Sequence, residues 1–377
     1  MNRLGEKYTI TILGSSHGEI VGVLIDGVPP NVRISQQAIK VWLDRRRPGQ
    51  AKISTPRTES DSLVIQTGIF KGKTTGQPIL AYVINKNVNS SSYEEIKDIP
   101  RPGHADFPSN VKYNGAQDYR GGGSFSGRMT IALIIAGAIA FQILNTVHIQ
   151  FRAYTKEIAG NLVESIPSFE SKELWEVYDN PTRIPQSKES AKFEELILSA
   201  RKEGDSVGGI VECQITNLPI GLGEPFFDSI ESKLAHMMFS IPAVKGIEFG
   251  SGFFASKMRG SEHNDSFYYD QNNKVIATRT NNAGGILGGL STGMPVIFRL
   301  AFKPTSSISK NQESVNKNTL AKVDLIVRGR HDPCIVPRAV PVVECASAIV
   351  ILDLLLSAGY LESANLTKQP ISGRKEC

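Results

Sequence analysis

Apolar and polar residues alternate along four early stretches of the chain: Tyr8 to Leu13, Val21 to Ile25, Leu63 to Phe70 and Ile79 to Ile84. A period of two, carried by β-branched side chains, predicts strands. Between the second and third stretches, Ser35 stands at a cap position. The residues through Trp42 and Leu43 then predict a short helix that Pro48-Gly49 stops.

Met129 to Leu144 reads MTIALIIAGAIAFQIL and is apolar on every face, which predicts a helix from about Arg128 to Asn145. The stretch is shorter than the roughly 20 residues a bilayer crossing needs and follows Arg128, so a buried core helix is expected, with no membrane partner. Further helices are predicted over Ser187 to Lys202, Ser229 to Phe239 and, again strongly apolar, Ala339 to Leu356. Residues 87–126 contain Pro100, Pro102, Gly103, Pro108, Gly115 and Gly121-Gly122-Gly123, the signature of a long irregular loop. Loops of that length inside compact domains are usually functional. Residues 163–205, polar and dotted with prolines, are expected to form a surface excursion.

The second half of the chain echoes the first in order. IVGVLIDGVPP is followed by GGIVECQITNLPIGLGEP, GQPILAYVINK by GMPVIFRLAFKP, and RPGHAD by GRHDP, the last pair each preceding a long apolar helix. Three ordered echoes predict two similar halves, about 5–150 and 206–360, packed as a single domain over residues 1–377. The expected class is α+β: long apolar helices covered by antiparallel sheets in a β-α-β sandwich, with two histidine-bearing loops at pseudo-symmetric positions.

Composition changes this picture little. Of 377 residues, 40% are hydrophobic and 21% charged, which excludes long disorder, and the net charge of +5 needs a location before it implies a partner. The cysteines Cys213, Cys334, Cys345 and Cys377 form no CxxC pair, and no His/Asp/Glu spacing fits a metal template. The start of the chain lacks a secretory pattern. A reducing, cytoplasmic location is expected, with no metal.

Candidate chemistry lies in five segments. Gly14-Ser15-Ser16-His17-Gly18-Glu19 follows a strand and offers either a tight turn with an exposed histidine or a proton donor with close backbone access. Arg45-Arg46-Arg47 with Lys52 offers forked donors for an anion, or a solvated helix end. Arg101-Pro102-Gly103-His104-Ala105-Asp106 precedes Gly121-Gly122-Gly123-Ser124-Phe125-Ser126-Gly127-Arg128, whose free N–H groups at a helix start suit phosphate; a merely flexible glycine loop is the alternative. No GxxxxGK[ST] string occurs, which disfavours nucleotide triphosphate hydrolysis. Asn281 to Gly289, then Lys303-Pro304-Thr305-Ser306-Ser307, combine glycines, a cation and hydroxyls suited to a phosphorylated cofactor. Arg328-Gly329-Arg330-His331-Asp332-Pro333-Cys334 places Arg, His and Asp before the last helix, and Cys334 reads as a buried thiol rather than a nucleophile. His148 sits in a strand pattern and His236 on a helix, both in structural positions.

Together these segments resemble the chorismate synthase family. GSSHGEIVGVLIDGVPP, YRGGGSFSGRMT and GRHDPCIVPRAVPVVE look like its three signatures, and DRRRPG, RPGHAD, GLGEP, AVKGIEFG, AGGILGG and KPTSSI fall in the family's order, over roughly residues 5–360. The resemblance implies a carbon–oxygen lyase of aromatic amino-acid biosynthesis. It would carry out the anti-1,4-elimination of phosphate from 5-enolpyruvylshikimate 3-phosphate to give chorismate, with reduced FMN required. His17 matches the histidine that protonates the departing phosphate, His104 the one placed against flavin N1, and Asp332 the carboxylate near flavin N5. Ser16 and Ser126 match the site serines.

Arg46, Lys52, Arg101, Arg128 and Arg330 match cationic positions around the substrate and flavin phosphates. Flavin contacts are implied for Ser124, Phe125, Ser126, Pro242, Ala243, Gly288, Lys303, Pro304, Thr305, Ser306, Ser307 and Arg330. The family further implies a homotetramer. Its members take reducing equivalents either from NADPH directly or from an external flavin reductase, and the sequence leaves both open. Ser15, Ser124 and Lys52 depart from the family's usual residues: a Glu, a basic residue and an arginine respectively. A nucleic-acid binder, the other reading of the arginine run, leaves the paired histidines unexplained, so no nucleic-acid partner is expected.

Overall fold

The computed structural model describes residues 2–49, 51–55, 61–86, 90–272, 274–327, 329 and 331–361. The early alternating stretches form one antiparallel sheet in the order Arg3–Leu4, Thr9–Gly14, Ile20–Asp26, Ile79–Ile84, Leu63–Ile65. Period two is visible in the burial: Ile79, Ala81 and Val83 face the core opposite Ile25, Val23 and Val21. The stretch Leu63 to Phe70 is not one strand. Gly68 takes a φ of 81° and turns the chain, so that Ile69–Phe70 pairs with Lys73–Thr74 instead.

A second antiparallel sheet runs Val244–Phe249, Val296–Phe302, Gly209–Thr216, Gln150–Ile158, Asn161–Leu162. Between the sheets lie two long helices, Thr130–Leu144 and Val336–Ser357, packed on each other. The first rests on strands Ile20–Asp26 and Ile79–Ile84, the last on Gln150–Ile158 and Gly209–Thr216. The chain is therefore an α+β sandwich with helices as its middle layer.

The sequence explains that layer. In Thr130–Leu144 every residue except Gln142 is buried, as an all-round apolar helix requires. With its 3-10 ends the run Gly127–Val147 has 21 residues and, like Val336–Ser357 with 22, is long and apolar enough to cross a membrane; burial inside the protein identifies both as core helices. They approach closely at Gly137, where a Cβ would lie 2.4 Å from both Cβ and O of Cys345. Alanine there would overpack the core, typically at about 1–3 kcal/mol. The last helix starts at Val336, ahead of the predicted Ala339, because Pro337 fits a first helical turn.

The shorter helices keep their caps. Ser35 Oγ accepts from the Ala38 amide at 3.2 Å at the start of Gln36–Arg46, and Ser229 Oγ accepts from Ser232 at 3.0 Å at the start of Ile230–Met238. His148 is not in a strand: it turns the chain at φ 59°, and pairing begins at Gln150. The segment 163–205 is also more than a surface excursion. Its average composition is polar, yet Leu174, Val177, Ile184, Phe193 and Ile197 are fully buried. Tyr178 donates to Glu344 Oε2 at 2.8 Å, and the other oxygen of this buried carboxylate accepts from the Ala153 amide at 2.6 Å. The ends of the fold are tied by Asp353, which accepts from the amides of Glu6, Lys7 and Tyr8 at 3.0, 2.7 and 2.8 Å.

Candidate active site

The first turns of the two long helices, the turn after strand Thr9–Gly14 and the end of strand Val296–Phe302 border a cavity of about 690 Å³. Among the described residues its wall carries the cations Arg46, Arg101, Arg128, Lys245, Lys303 and Arg338 against one carboxylate, Asp332.

His17 sits on the turn joining two paired strands, buried beside Ser16. Its Nδ1 lies 2.9 Å from Ser90 Oγ, and its ring meets Tyr93 edge-on at 5.2 Å between centroids. The remaining side is closed by Gly121, where a Cβ would stand 2.5 Å from His17 Nε2. His104 is held comparably. Its Nδ1 is 2.6 Å from Asp106 Oδ1, and Gly122 backs its ring, with a virtual Cβ 3.1 Å from Nε2. A carboxylate only accepts, so Nδ1 carries the hydrogen and Nε2 is the other working atom.

Burial alone would raise the Asp106 carboxyl, but hydrogen bonds from Arg101 and His104 outweigh it and hold it well below the usual carboxylate range. Arg101 is thereby fixed, with Nε 2.7 Å from Asp106 Oδ2 and Nη1 donating to Ser307 at 3.1 Å. Arg46 and Arg128 share the buried Asp61 at 3.5 and 3.2 Å. Both guanidiniums and His17 border the same cavity. Burial, then the neighbouring Lys245, pushes the Lys303 ammonium down from its ordinary value. Asp332 accepts from the Thr55 amide at 2.9 Å through one oxygen and from Arg338 Nη1 through the other.

The cavity brings together Ser16, His17, Arg46, Arg101, His104, Ser124, Phe125, Ser126, Arg128, Pro242, Ala243, Lys303, Thr305, Ser306, Ser307 and Asp332. Three expected residues are not on its wall. Lys52 is exposed, and its carbonyl accepts from Arg201 at 2.9 Å. Gly288 is exposed in the turn between Ile286–Leu287 and Leu290–Ser291. Pro304 is represented only through its neighbours, its carbonyl accepting from Lys303 Nζ at 3.2 Å. Arg330 lies outside the described residues.

Of the arginine run, only Arg46 enters the cavity. Successive helical residues point about 100° apart, so Arg45 lies over Tyr178 at 3.9 Å, while Arg47, where the chain leaves the helix, pairs with Asp44 at 3.3 Å. Asp61, Asn85, Ser90, Tyr93, Lys245 and Arg338 were not anticipated. Ser90 and Tyr93 fall in the loop flagged as functional by its length, which was the available signal for them.

Sheet, helix pair and cavity together define an α+β sandwich with a cation-rich cleft suited to anions. The sequence profile described as chorismate synthase matches residues 8–356. The chorismate synthase of Methanocaldococcus jannaschii is 46% identical over 378 residues, covering 97% of this chain and 99% of the relative. That of Dehalococcoides mccartyi is 48% identical over 361 residues, with 96% and 98% covered. A solved structure described as chorismate synthase superposes with a TM-score of 0.74 at 26% identity, covering 94% of this chain and 93% of the other. The chain belongs to the chorismate synthase family, and is an enzyme of the lyase class.

Proposed function

We propose that this enzyme eliminates phosphate from 5-enolpyruvylshikimate 3-phosphate to give chorismate, in the shikimate pathway of the cytoplasm. The observation that carries the reading is the wall itself: among the described residues, six cations against one carboxylate, with a rigidly held histidine among them. Such a surface suits a substrate bearing phosphate and carboxylates, and cations fixed in advance stabilise charge developing on a leaving phosphate.

In the elimination, the electrons of a ring C–H bond form a new double bond, the existing ring double bond shifts, and the carbon–oxygen bond to phosphate breaks. No net oxidation occurs. His17 donates a proton to the departing phosphate, steadied by Ser16 beside it. Arg46 and Arg128 hold the phosphate, and Arg101 a further anionic group.

The residues present fit FMN. Thr305 Oγ1 is buried with no hydrogen-bond partner among the described residues, next to Lys303, Ser306 and Ser307 on the cavity wall. An orphaned buried hydroxyl beside a cation is what an absent phosphate or ring acceptor would satisfy. Ser124, Phe125, Ser126, Pro242, Ala243 and Arg330 complete the proposed flavin contacts, with His104 and Asp332 facing its ring. When bound, reduced flavin would lend electron density to the breaking carbon–oxygen bond and recover it, and would accept the proton released from the ring.

We also propose a homotetramer. In it a second copy would cover Phe226, Phe227 and Phe253, which are 86, 89 and 81% exposed in the single chain. The activity is tested anaerobically with protein, chemically reduced FMN and substrate, following phosphate and chorismate. Equal release of both is expected, and absence of phosphate would overturn the reading. His17→Ala and His104→Ala should each abolish turnover with the fold intact. Repeating the assay with NADPH and oxidised FMN decides between self-reduction and an external flavin reductase.

A further inference from the structure

Asn85 follows strand Ile79–Ile84 and lies off the cavity wall, yet its side chain joins two of the wall's principal groups. Its Oδ1 accepts from Arg128 Nε at 2.7 Å. Its Nδ2 donates to the Gly18 carbonyl at 2.7 Å and lies 3.3 Å from the carbonyls of Ser15 and Ser16. Arg Nε–H can only donate and carbonyls can only accept, so the amide has one consistent orientation. Its backbone amide also donates to Glu19 O at 2.9 Å, completing the strand pairing of Ile84 with Ile20. The turn carrying His17 is therefore held on both flanks by this one residue.

We infer that Asn85 is a positioning residue for the elimination, fixing the proton donor His17 and the cation Arg128 on the same leaving phosphate. The inference rests on the function proposed above. No other side chain does both jobs at this place. Aspartate keeps an acceptor for Arg128 but sets a carboxylate against three carbonyls, alanine removes both contacts, and glutamine is one methylene too long for the fork.

The two halves of the clamp separate in kinetics. Asn85→Asp loosens the His17 turn and keeps an acceptor for Arg128, so kcat should fall about 100-fold, the scale of a misplaced catalytic group, with KM for the phosphorylated substrate near wild type. Asn85→Ala should lower kcat similarly and also raise KM about tenfold, the worth of one charge-assisted hydrogen bond.

The test is steady-state phosphate release with reduced FMN, wild type in parallel, and melting curves for each protein. If alanine does not fold, the near-isosteric aspartate variant carries the test. Wild-type kinetics in both variants, with or without a lower melting temperature, would overturn the inference while leaving the proposed reaction standing. Raised KM with unchanged kcat in both would overturn it too. A wild-type enzyme releasing no phosphate removes the reaction, and the inference with it.

Discussion

The imidazole of His17 occupies the space in which any residue other than glycine at position 121 would carry its side chain. A Cβ on Gly121 would lie 2.3 Å from His17 Cδ2 and 2.9 Å from Ser16 Oγ, at a φ of 61°. Gly121→Ala is therefore expected to push the ring off its Ser90 contact and cut turnover about 100-fold. Gly122→Ala, whose Cβ would meet His104 at 3.1 Å, should do less harm. Single-turnover phosphate release, compared with melting temperature, checks the order. Equal rates in Gly121→Ala and wild type would show that the ring has room to spare.

Asp106 gives the protein an acid limb. Its carboxyl is held below its unfolded value, so its ionised form stabilises the fold at every pH above about 3.9, and that contribution is lost as the pH falls from there toward the folded value. Asp106→Asn should melt lower than wild type at neutral pH and lose less on acidification, the two curves converging below about pH 4. Melting curves taken from neutral pH down to about pH 3 check this. Parallel curves would assign the acid sensitivity to other carboxylates.

Much of this site could be read from residue order, and the limits are instructive. His17, His104, Arg101, Arg128 and Asp332 stood out because each sits in a short run of glycine, proline and charge, and all five reach one cavity. Such runs do not encode direction. Arg45 and Arg47 share their run with Arg46, but one lies on another helix face and the other beyond the helix end, and Lys52 faces solvent. The glycine triplet was legible as backbone suited to an anion. That two of its members are sockets for His17 and His104 depends on contacts across the fold, the first of them joining segments about a hundred residues apart. Asn85 and Asp61 are polar residues at the edges of apolar strands and Arg338 stands alone in an apolar helix, and only the register of the first sheet and the approach of the last helix give them partners. Alternation and apolar length gave the layers; the buried side chains of residues 163–205 were hidden by a polar average.

The buried thiols of Cys213, Cys334 and Cys345 should be inert. Burial pushes the Cys334 thiol up to about 12, and raises Cys213 and Cys345 as well. Since the thiolate is the reactive form, iodoacetamide near neutral pH should leave turnover unchanged until the protein is unfolded. Cys334→Ala should likewise keep its activity. Peptide mapping after alkylation checks both, and labelling of Cys334 in active protein would contradict the buried geometry.

Arg338 is the partner that decides what Asp332 can do. Both carboxylate oxygens are engaged, one by the Thr55 amide and one by the guanidinium, whose Nε also donates to the Arg46 carbonyl at 3.1 Å. The Asp332 side chain is 10% exposed, so removing the guanidinium strands a carboxylate with little water to replace it. Breaking a fully buried pair costs about 3–5 kcal/mol; Arg338, at 22% exposed, places this pair below that range. Arg338→Gln should lower both stability and turnover. Adding Asp332→Asn removes the stranded charge, so the double variant should recover stability, with a coupling of about 0.5–3 kcal/mol typical of contacting residues. Turnover should not return, because the carboxylate proposed to face the flavin is gone. Denaturant unfolding of the four proteins measures the first quantity and phosphate release the second. Recovery of both in the double variant would reduce Asp332 to a structural partner, and additive stabilities would show that the two side chains do not depend on each other.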